Sequence, residues 1–293
     1  MKANDHELAR DLAAEAGRRL LDLRARGGEP DLLRKAGDRL SHEFLTAELA
    51  ARRPGDVVLS EEGADAPARL TAGRVWIVDP LDGTREFGEP GRADWAVHVA
   101  LWERSSGDLT AGAVALPAQG RVLSTVGPPG PDPAPGRERH RCGNDVAITA
   151  SLPQPRGRAE VRSGDGEAAE TRGGEGRVRM VVSRTRAPRL VRDISDLIDA
   201  ELAPLGSAGA KVAAVVYGEA DAYVHAGGFY EWDTAAPVAV ARAAGYHASR
   251  IDGSPLAYNQ ANLLMPDILV CRPALAGTLL QAIRSIKEIQ NAP

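Results

Sequence analysis

Cysteine is nearly absent from this 293-residue chain: there are two, Cys142 and Cys271, far apart and without metal-ligand spacing. That argues against a disulfide scaffold and a zinc centre, and it suits a reducing, cytoplasmic setting. Long apolar runs are missing as well. No window approaches the roughly 18–20 apolar residues of a membrane span. The opening residues, MKANDHELARDLAAEAGRRLLDLRAR, carry charges throughout, so no signal peptide is expected there. Charge of one sign is not in excess either. The 36 Lys and Arg against 40 Asp and Glu leave a formal net charge of -4, which gives no reason to expect nucleic acid or an anionic membrane as partner. What is present, 43% hydrophobic and 26% charged residues, is the composition of a globular enzyme, with length enough for a substantial core in one large domain or two.

The apolar spacing predicts an amphipathic first helix on Leu8, Leu12, Ala16, Leu20 and Leu23, and a second from about Asp38 to Arg53 on Leu40, Phe44 and Leu49. DVVLSEE (56–62) reads as a strand ending in two glutamates, RVWIVD as the next, and DWAVHVALWE (94–103) as another. AGAVAL and RVLSTV complete an expected antiparallel meander around Pro117 and Gly120. Residues 127–176 are dense in Pro, Gly, Arg and Glu and hold too little apolar surface to offset their ordering entropy, so a flexible insertion is expected. It separates an N-terminal half (1–126) from a C-terminal half (177–293). In the second half, RVRMVVS reads as a strand. Pro188–Leu202 reads as a helix with Leu190, Ile194, Leu197 and Ile198 inside. GSAGAKVAAVVYGEAD (206–221) reads as a loop entering a helix, DAYVHA as a strand, and WDTAAPVAVARAAG (232–245) as a helix opening on Asp233 and closing at Gly245. DILVC and a helix from about Ala274 complete an alternation that predicts a layered α/β unit.

Carboxylates punctuate the ends of these elements: Glu61 and Glu62 after one strand, Asp79 and Asp82 after the next, Asp233 at a helix start. Asp beside Pro or Gly is also ordinary turn chemistry, so WIVDPLDGT alone decides nothing. Together, though, acids at element ends can converge on one cleft, and clustered carboxylates repel unless cations neutralise them. Oxygen ligands without nearby His or Cys favour Mg²⁺. Pro80 fixes the turn so that the Leu81 carbonyl can face the side of its flanking aspartates. Gly83 and Thr84 would then offer backbone N–H groups as a phosphate seat at a helix start. This pattern predicts a metal-assisted phosphoryl-transfer site.

SEEG, WIVDPLDGT and EWDTAAPVAVARAAG, in this order and separation, resemble the signature segments of the inositol monophosphatase superfamily of magnesium-dependent, lithium-sensitive phosphatases. The resemblance covers nearly the whole chain apart from 127–176. It implies a layered αβαβα fold, two or three Mg²⁺ ions per site, and a homodimer. It further implies metal ligation by Glu61, Asp79, the Leu81 carbonyl, Asp82 and Asp233, with Glu61 also catalytic. Thr84 would position the attacking water. Asp38 would be its acidic partner, or a cap of the second helix, or both. Glu62 is either a supporting carboxylate or a turn residue.

Where the inositol-specific branch carries a glutamate seven residues before the W-D aspartate, this chain has Ala226. A polyol substrate would lose a charged hydrogen bond of roughly 1.5–3 kcal/mol. GSAGAKVAAVVYGEADAYVHAGG and DGSPLAYNQ are instead similar to the CysQ group of 3′(2′),5′-bisphosphate nucleotidases. The resemblance places Gly206, Ser207, Ala208 and Gly209 along a nucleotide and Lys211 near its distal phosphate. The same stretch also reads as a plain loop with Ser207 as a helix cap. Glu61, Leu81, Asp82, Gly83, Thr84 and Asp233 would complete the substrate contacts. His98 reads as a sheet histidine rather than a ligand. His225 and His247 read as packing or rim residues, Trp76 and Trp232 as loop supports, and Arg184 as a candidate phosphate contact. The implied reaction is hydrolysis of the 3′-phosphate of 3′-phosphoadenosine 5′-phosphate. The rivals are a broader inositol 1-phosphate or fructose 1,6-bisphosphate phosphatase, and a regulatory binding protein of the same fold.

Overall fold

Seven α-helices and ten β-strands stack in five layers among the residues that the computed structural model describes, 4–127, 177–185 and 187–290. The expected insertion, and Cys142 within it, lie outside the described residues save Gly127. The first layer is a helix pair. α1 (Asp5–Ala25) opens on a capping box, the Asn4 side chain accepting from the Glu7 N–H at 2.8 Å while Glu7 accepts from the Asn4 N–H. Its Leu8, Leu12, Ala16 and Leu20 are buried, as their spacing predicts. α2 (Pro30–Arg52) begins well before the expected Asp38. Pro30 sits in the first turn, where a missing N–H is harmless, and the Glu29 carboxylate accepts from Leu32 N–H. Asp38 therefore lies inside α2, not at its cap.

The second layer is a sheet of β1 (Val57–Ser60), β2 (Arg74–Asp82), β3 (Ala96–Glu103), β4 (Asp108–Leu116) and β5 (Arg121–Ser124), in sequential order. β1 and β2 are parallel, and the rest form the expected meander. Alternation along β2 sends Trp76 into the core under α1 and α2, and Ile77 into the core on the other face. A short helix, α3 (Thr84–Gly88), follows β2.

The C-terminal half supplies the other layers. Its sheet runs β7 (Glu201–Leu205), β6 (Arg179–Ser183), β8 (Ala222–Tyr230), β10 (Leu264–Cys271) and β9 (His247–Ser249). α5 (Ala208–Val216) and α6 (Glu231–Ala243) fill the space between the two sheets, joining Ile77 and Val114 to Val212, Ala236 and Ile268 in one core. Gly112 in β4 lets α6 come close, since a Cβ there would lie 2.8 Å from Ala239 Cβ. α4 (Arg189–Ile198) and α7 (Pro273–Gln290) cover the outer face of the second sheet. The order helix pair, sheet, helix pair, sheet, helix pair is the expected αβαβα sandwich.

Three expectations change here. The helix foreseen over Pro188–Leu202 ends at Ile198, because Asp199 adopts the left-handed conformation (φ 51°). The residues after it become β7, an edge strand, a setting in which Pro204 is tolerated. Leu197 consequently points outward at 57% exposure, and Val191 joins Ile194 on the buried face. Finally, α6 opens on Glu231 rather than Asp233, which occupies its third position and accepts from the Tyr230 N–H at 2.6 Å.

Candidate metal centre and active cleft

In a regular strand, residues 79 and 82 would point to opposite faces. The β2–β3 register slips between them: Asp79 pairs with His98 and Asp82 with Ala96, so one extra residue of β2 is accommodated at Pro80–Leu81. The bulge turns both aspartates to one side. The Leu81 N–H donates to Asp79 Oδ1 at 3.0 Å and locks the turn. Asp233 arrives from the first turn of α6, and carboxylate atoms of Asp79, Asp82 and Asp233 lie within 4.8 Å of one another. Glu61, in the turn after β1, sits at the open mouth. It is outside that triad, yet it shares a hydrogen bond with Asp79 and feels the charge of Asp233. A buried cluster holds the start of α6 in place. Arg69, 1% exposed, donates to Asn259 Oδ1 and the Gln260 carbonyl, while Glu231 accepts from the Asn259 and Gln260 N–H groups at 2.6 and 2.7 Å.

The electrostatics identify what the acids lack. Among the described residues, no Arg or Lys forms an ion pair with Glu61, Asp79, Asp82 or Asp233. Burial, then the charges of Asp82 and Glu61, hold the Asp79 carboxyl well above its ordinary value. Burial, then Asp82, pushes Asp233 up to about 7. Glu61 keeps a solvent-facing surface, but desolvation of its carboxyl and the Asp233 charge still raise it to about 7. Asp82 differs: burial opposes its ionisation, but His98, Ser207 and Gly209 outweigh that and hold it below the ordinary range. A hard divalent cation among these oxygens would replace the protons that the cluster otherwise retains, so the donor set fits such an ion.

Sequence reasoning left His98 out of the site. Its alternation in β3 gives burial but not its cross-strand neighbour. It is fully buried, with Nδ1 3.2 Å from the Trp232 carbonyl and Nε2 3.2 Å from Asp82 Oδ2. The glycine-rich loop also turns toward Asp82. Ser207 Oγ donates to Asp82 Oδ2 at 2.5 Å and Gly209 N–H at 2.8 Å, while Ser207 also caps α5 by accepting from Ala210 N–H. A side chain at Gly209 is impossible without movement, since its Cβ would stand 2.2 Å from His98 Nε2. Lys211 is buried, donates to the Gly206 carbonyl and lies over the Tyr223 ring, 5.3 Å from its centroid.

Thr84 stands beside the acids, its Oγ1 3.0 Å from the Leu81 carbonyl and 3.3 Å from Asp38 Oδ1. Burial first, then Glu62, raises Asp38 to about 6. Gly83 holds the turn before Thr84 at φ 84°, and the helix it opens is only five residues long. Arg184 pairs with Glu86 at 2.9 Å and Glu89 at 2.8 Å. Trp76 is buried and donates to Asp56 Oδ2, and Trp232 stacks on Tyr230 at 4.8 Å. His247 hydrogen-bonds Ser249 away from the acids.

A model of the inositol monophosphatase family matches residues 5–288. The chain belongs to that family. Among its relatives, a 3′-phosphoadenosine 5′-phosphate phosphatase of Mycobacterium leprae is 45% identical over 96% of this chain and 94% of its own. An inositol-1-monophosphatase of Mycobacterium bovis is 30% identical over 86% of this chain and 78% of its own. The crystal structure of CysQ from Bacteroides thetaiotaomicron superposes with a TM-score of 0.67 at 26% identity, covering 92% of this chain and 97% of that one.

Proposed function

We propose that the protein is a Mg²⁺-dependent phosphatase that removes the 3′-phosphate of 3′-phosphoadenosine 5′-phosphate, giving AMP and phosphate. The observation that carries this reading is the 45% identity, over nearly the full length of both chains, to a phosphatase of that substrate. Glu61, Asp79, the Leu81 carbonyl, Asp82 and Asp233 would hold the metal, two or three ions in all. When bound, it supplies charge neutralisation for the phosphate and acidification of a water. The chain's own residues do the rest. The Thr84 hydroxyl donates to Asp38 and keeps its lone pairs for a proton of the attacking water. Asp38, near neutrality because it is buried, can take that proton up through Thr84. Water oxygen bonds to phosphorus as the bond to ribose O3′ breaks, and solvent reprotonates O3′. Ser207 and Gly209 hold Asp82 ionised for this work, which gives the loop a role beside its proposed contact with the nucleotide. A homodimer in the cytoplasm, acting on the by-product of sulfate activation, accords with the reading.

Inositol 1-phosphate is the rival substrate, and Ala226 on β8 speaks against it because no charged side chain stands there to bind a ring hydroxyl. Phosphate release from both compounds with Mg²⁺ decides between them. The expected ratio of kcat/KM is at least about 100-fold in favour of the nucleotide, with inhibition by Li⁺ but not by Na⁺ at equal ionic strength. Equal efficiency on the two substrates refutes the nucleotidase reading, and no turnover of either, with Mg²⁺ bound, points to a binding protein.

A further inference from the structure

A cavity of about 200 Å³ beside Asp82 and Gly83 shares part of its lining with a second of about 620 Å³. Their shared wall holds Arg85, Thr185, His225 and Phe229. The cations around them are not equally available. Arg184 is occupied by Glu86 and Glu89, and Lys211 is buried against the Gly206 carbonyl. Arg189 lies 3.6 Å from Asp193. Arg85 is exposed and makes no hydrogen bond or ion pair among the described residues, and its charge is felt by Glu89, one turn along the chain. It follows Thr84 directly, so its backbone belongs to the catalytic turn.

The lining that this cation shares is also aromatic. The rings of His225 and Phe229 lie 4.1 Å apart at 31°, and Tyr223 continues the row with its ring 6.3 Å from that of His225. The Gly227 carbonyl fixes the imidazole by accepting from His225 Nε2–H at 2.6 Å. A carbonyl can only accept, so Nε2 carries a proton, burial disfavours a second one on the ring, and the imidazole lies tilted against Phe229. Gly227 and Gly228, both at positive φ, put no side chain over the larger cavity, and a Cβ at Gly228 would meet nothing within 4 Å.

We propose that Arg85 reads the second phosphate of the substrate while the His225–Phe229 wall receives its base, a division that makes this cleft select a nucleoside bisphosphate over a simple phosphate ester. This rests on the phosphatase reading above and assigns to Arg85 the role that the sequence suggested for Lys211. A free guanidinium suits the task, since its hydrogen bonds to phosphate are charge-assisted and bidentate. An aromatic wall suits a purine, whose faces stack without demanding a particular hydrogen-bond pattern.

The test is a ladder of three substrates with Mg²⁺: 3′-phosphoadenosine 5′-phosphate, adenosine 3′-phosphate, and glycerol 2-phosphate, which has neither base nor second phosphate. Arg85→Gln is expected to lower the ratio of kcat/KM between the first two by about tenfold or more, chiefly through KM, and Arg85→Lys to restore part of it. Phe229→Ala is expected to lower both nucleotides against glycerol 2-phosphate and to leave the ratio between the nucleotides in place. An Arg85→Gln enzyme that keeps the parent's ratio between the first two substrates, or loses equally on all three, overturns the proposal. A parent enzyme with no preference for the bisphosphate over glycerol 2-phosphate overturns instead the reading on which it rests.

Discussion

Asp82 and Asp233 lie in one cluster and are expected to answer the same substitution differently. Asp82 is ionised with three partners, while Asp233 is raised to about 7 by burial. Either change to Asn removes a charge from the metal-binding set, so turnover should fall by about 100-fold or more in both. In metal-free protein the outcomes separate. Asp233→Asn relieves a costly buried charge and should unfold at the same or a higher temperature. Asp82→Asn removes the charged acceptor of Ser207 and Gly209, 3.2 Å from His98 Nε2, and should unfold earlier. Thermal melts in chelator check this, and a melt that moves the same way in both variants contradicts it. The raised carboxyls also set a pH trend. Asp38, Glu61 and Asp233 sit at about 6, about 7 and about 7 when folded, against about 4 in an unfolded chain. The folded state therefore holds protons that the unfolded state has released, and the stability these groups contribute is lost as pH rises toward 7. In chelator the melting temperature should fall between about pH 4 and about pH 7, and the increment from added Mg²⁺ should grow over the same interval. An increment that is flat in pH would argue against proton–metal exchange at these residues.

Among the elements, the start of α5 is the most constrained, because the Gly209 backbone meets both Asp82 and His98. Alanine there gains up to about 1 kcal/mol of helix propensity but forces a Cβ into His98, which should cost about 1–3 kcal/mol and detach the N–H from Asp82. Gly209→Ala should thus melt lower and turn over more slowly, and a variant as stable as the parent would contradict this packing. The same loop shows where the sequence could and could not be read. DPLDGT announces its acids because proline, glycine and carboxylates are local signals, and the strands around it alternate clearly. The convergence of Ser207, Gly209 and His98 on Asp82 is a matter of register and packing between segments far apart in the chain, which no local pattern carries. β7 was missed for a related reason. Glu201–Leu205 is short and contains proline, and only its place at the edge of a sheet makes it a strand. The start of α2 was misplaced because its first turns are held by a proline and a cap, not by an apolar stripe.

At the scale of the molecule, all residues of the acidic cluster fall within the described layers, and the join between β5 and β6 carries none of them. Replacing Pro128–Glu175 by a short Gly-Ser link should leave Mg²⁺-dependent phosphate release within a few-fold, because loop length changes closure entropy by only about 0.6 kcal/mol per doubling. A shortened protein that melts normally and has lost turnover would show that this segment takes part in the reaction. The staple of Arg69, Asn259 and Glu231 belongs to this scale too. It ties the turn before β2 to the segment before β10, and thereby fixes the distance between aspartates more than 150 positions apart, Asp79 and Asp233.

The sandwiched helices α5 and α6 come from the C-terminal half and lie on the sheet of the N-terminal half. Cut at the β5–β6 join, the chain would yield one fragment with a bare sheet face and another with a bare helix pair, each the complement of the other. Neither fragment should hydrolyse anything alone, since Asp79 and Asp82 go with one and Asp233 with the other. Mixed, they should recover turnover at a rate that rises with the concentration of each, a bimolecular approach to a site that the intact chain assembles in a unimolecular step.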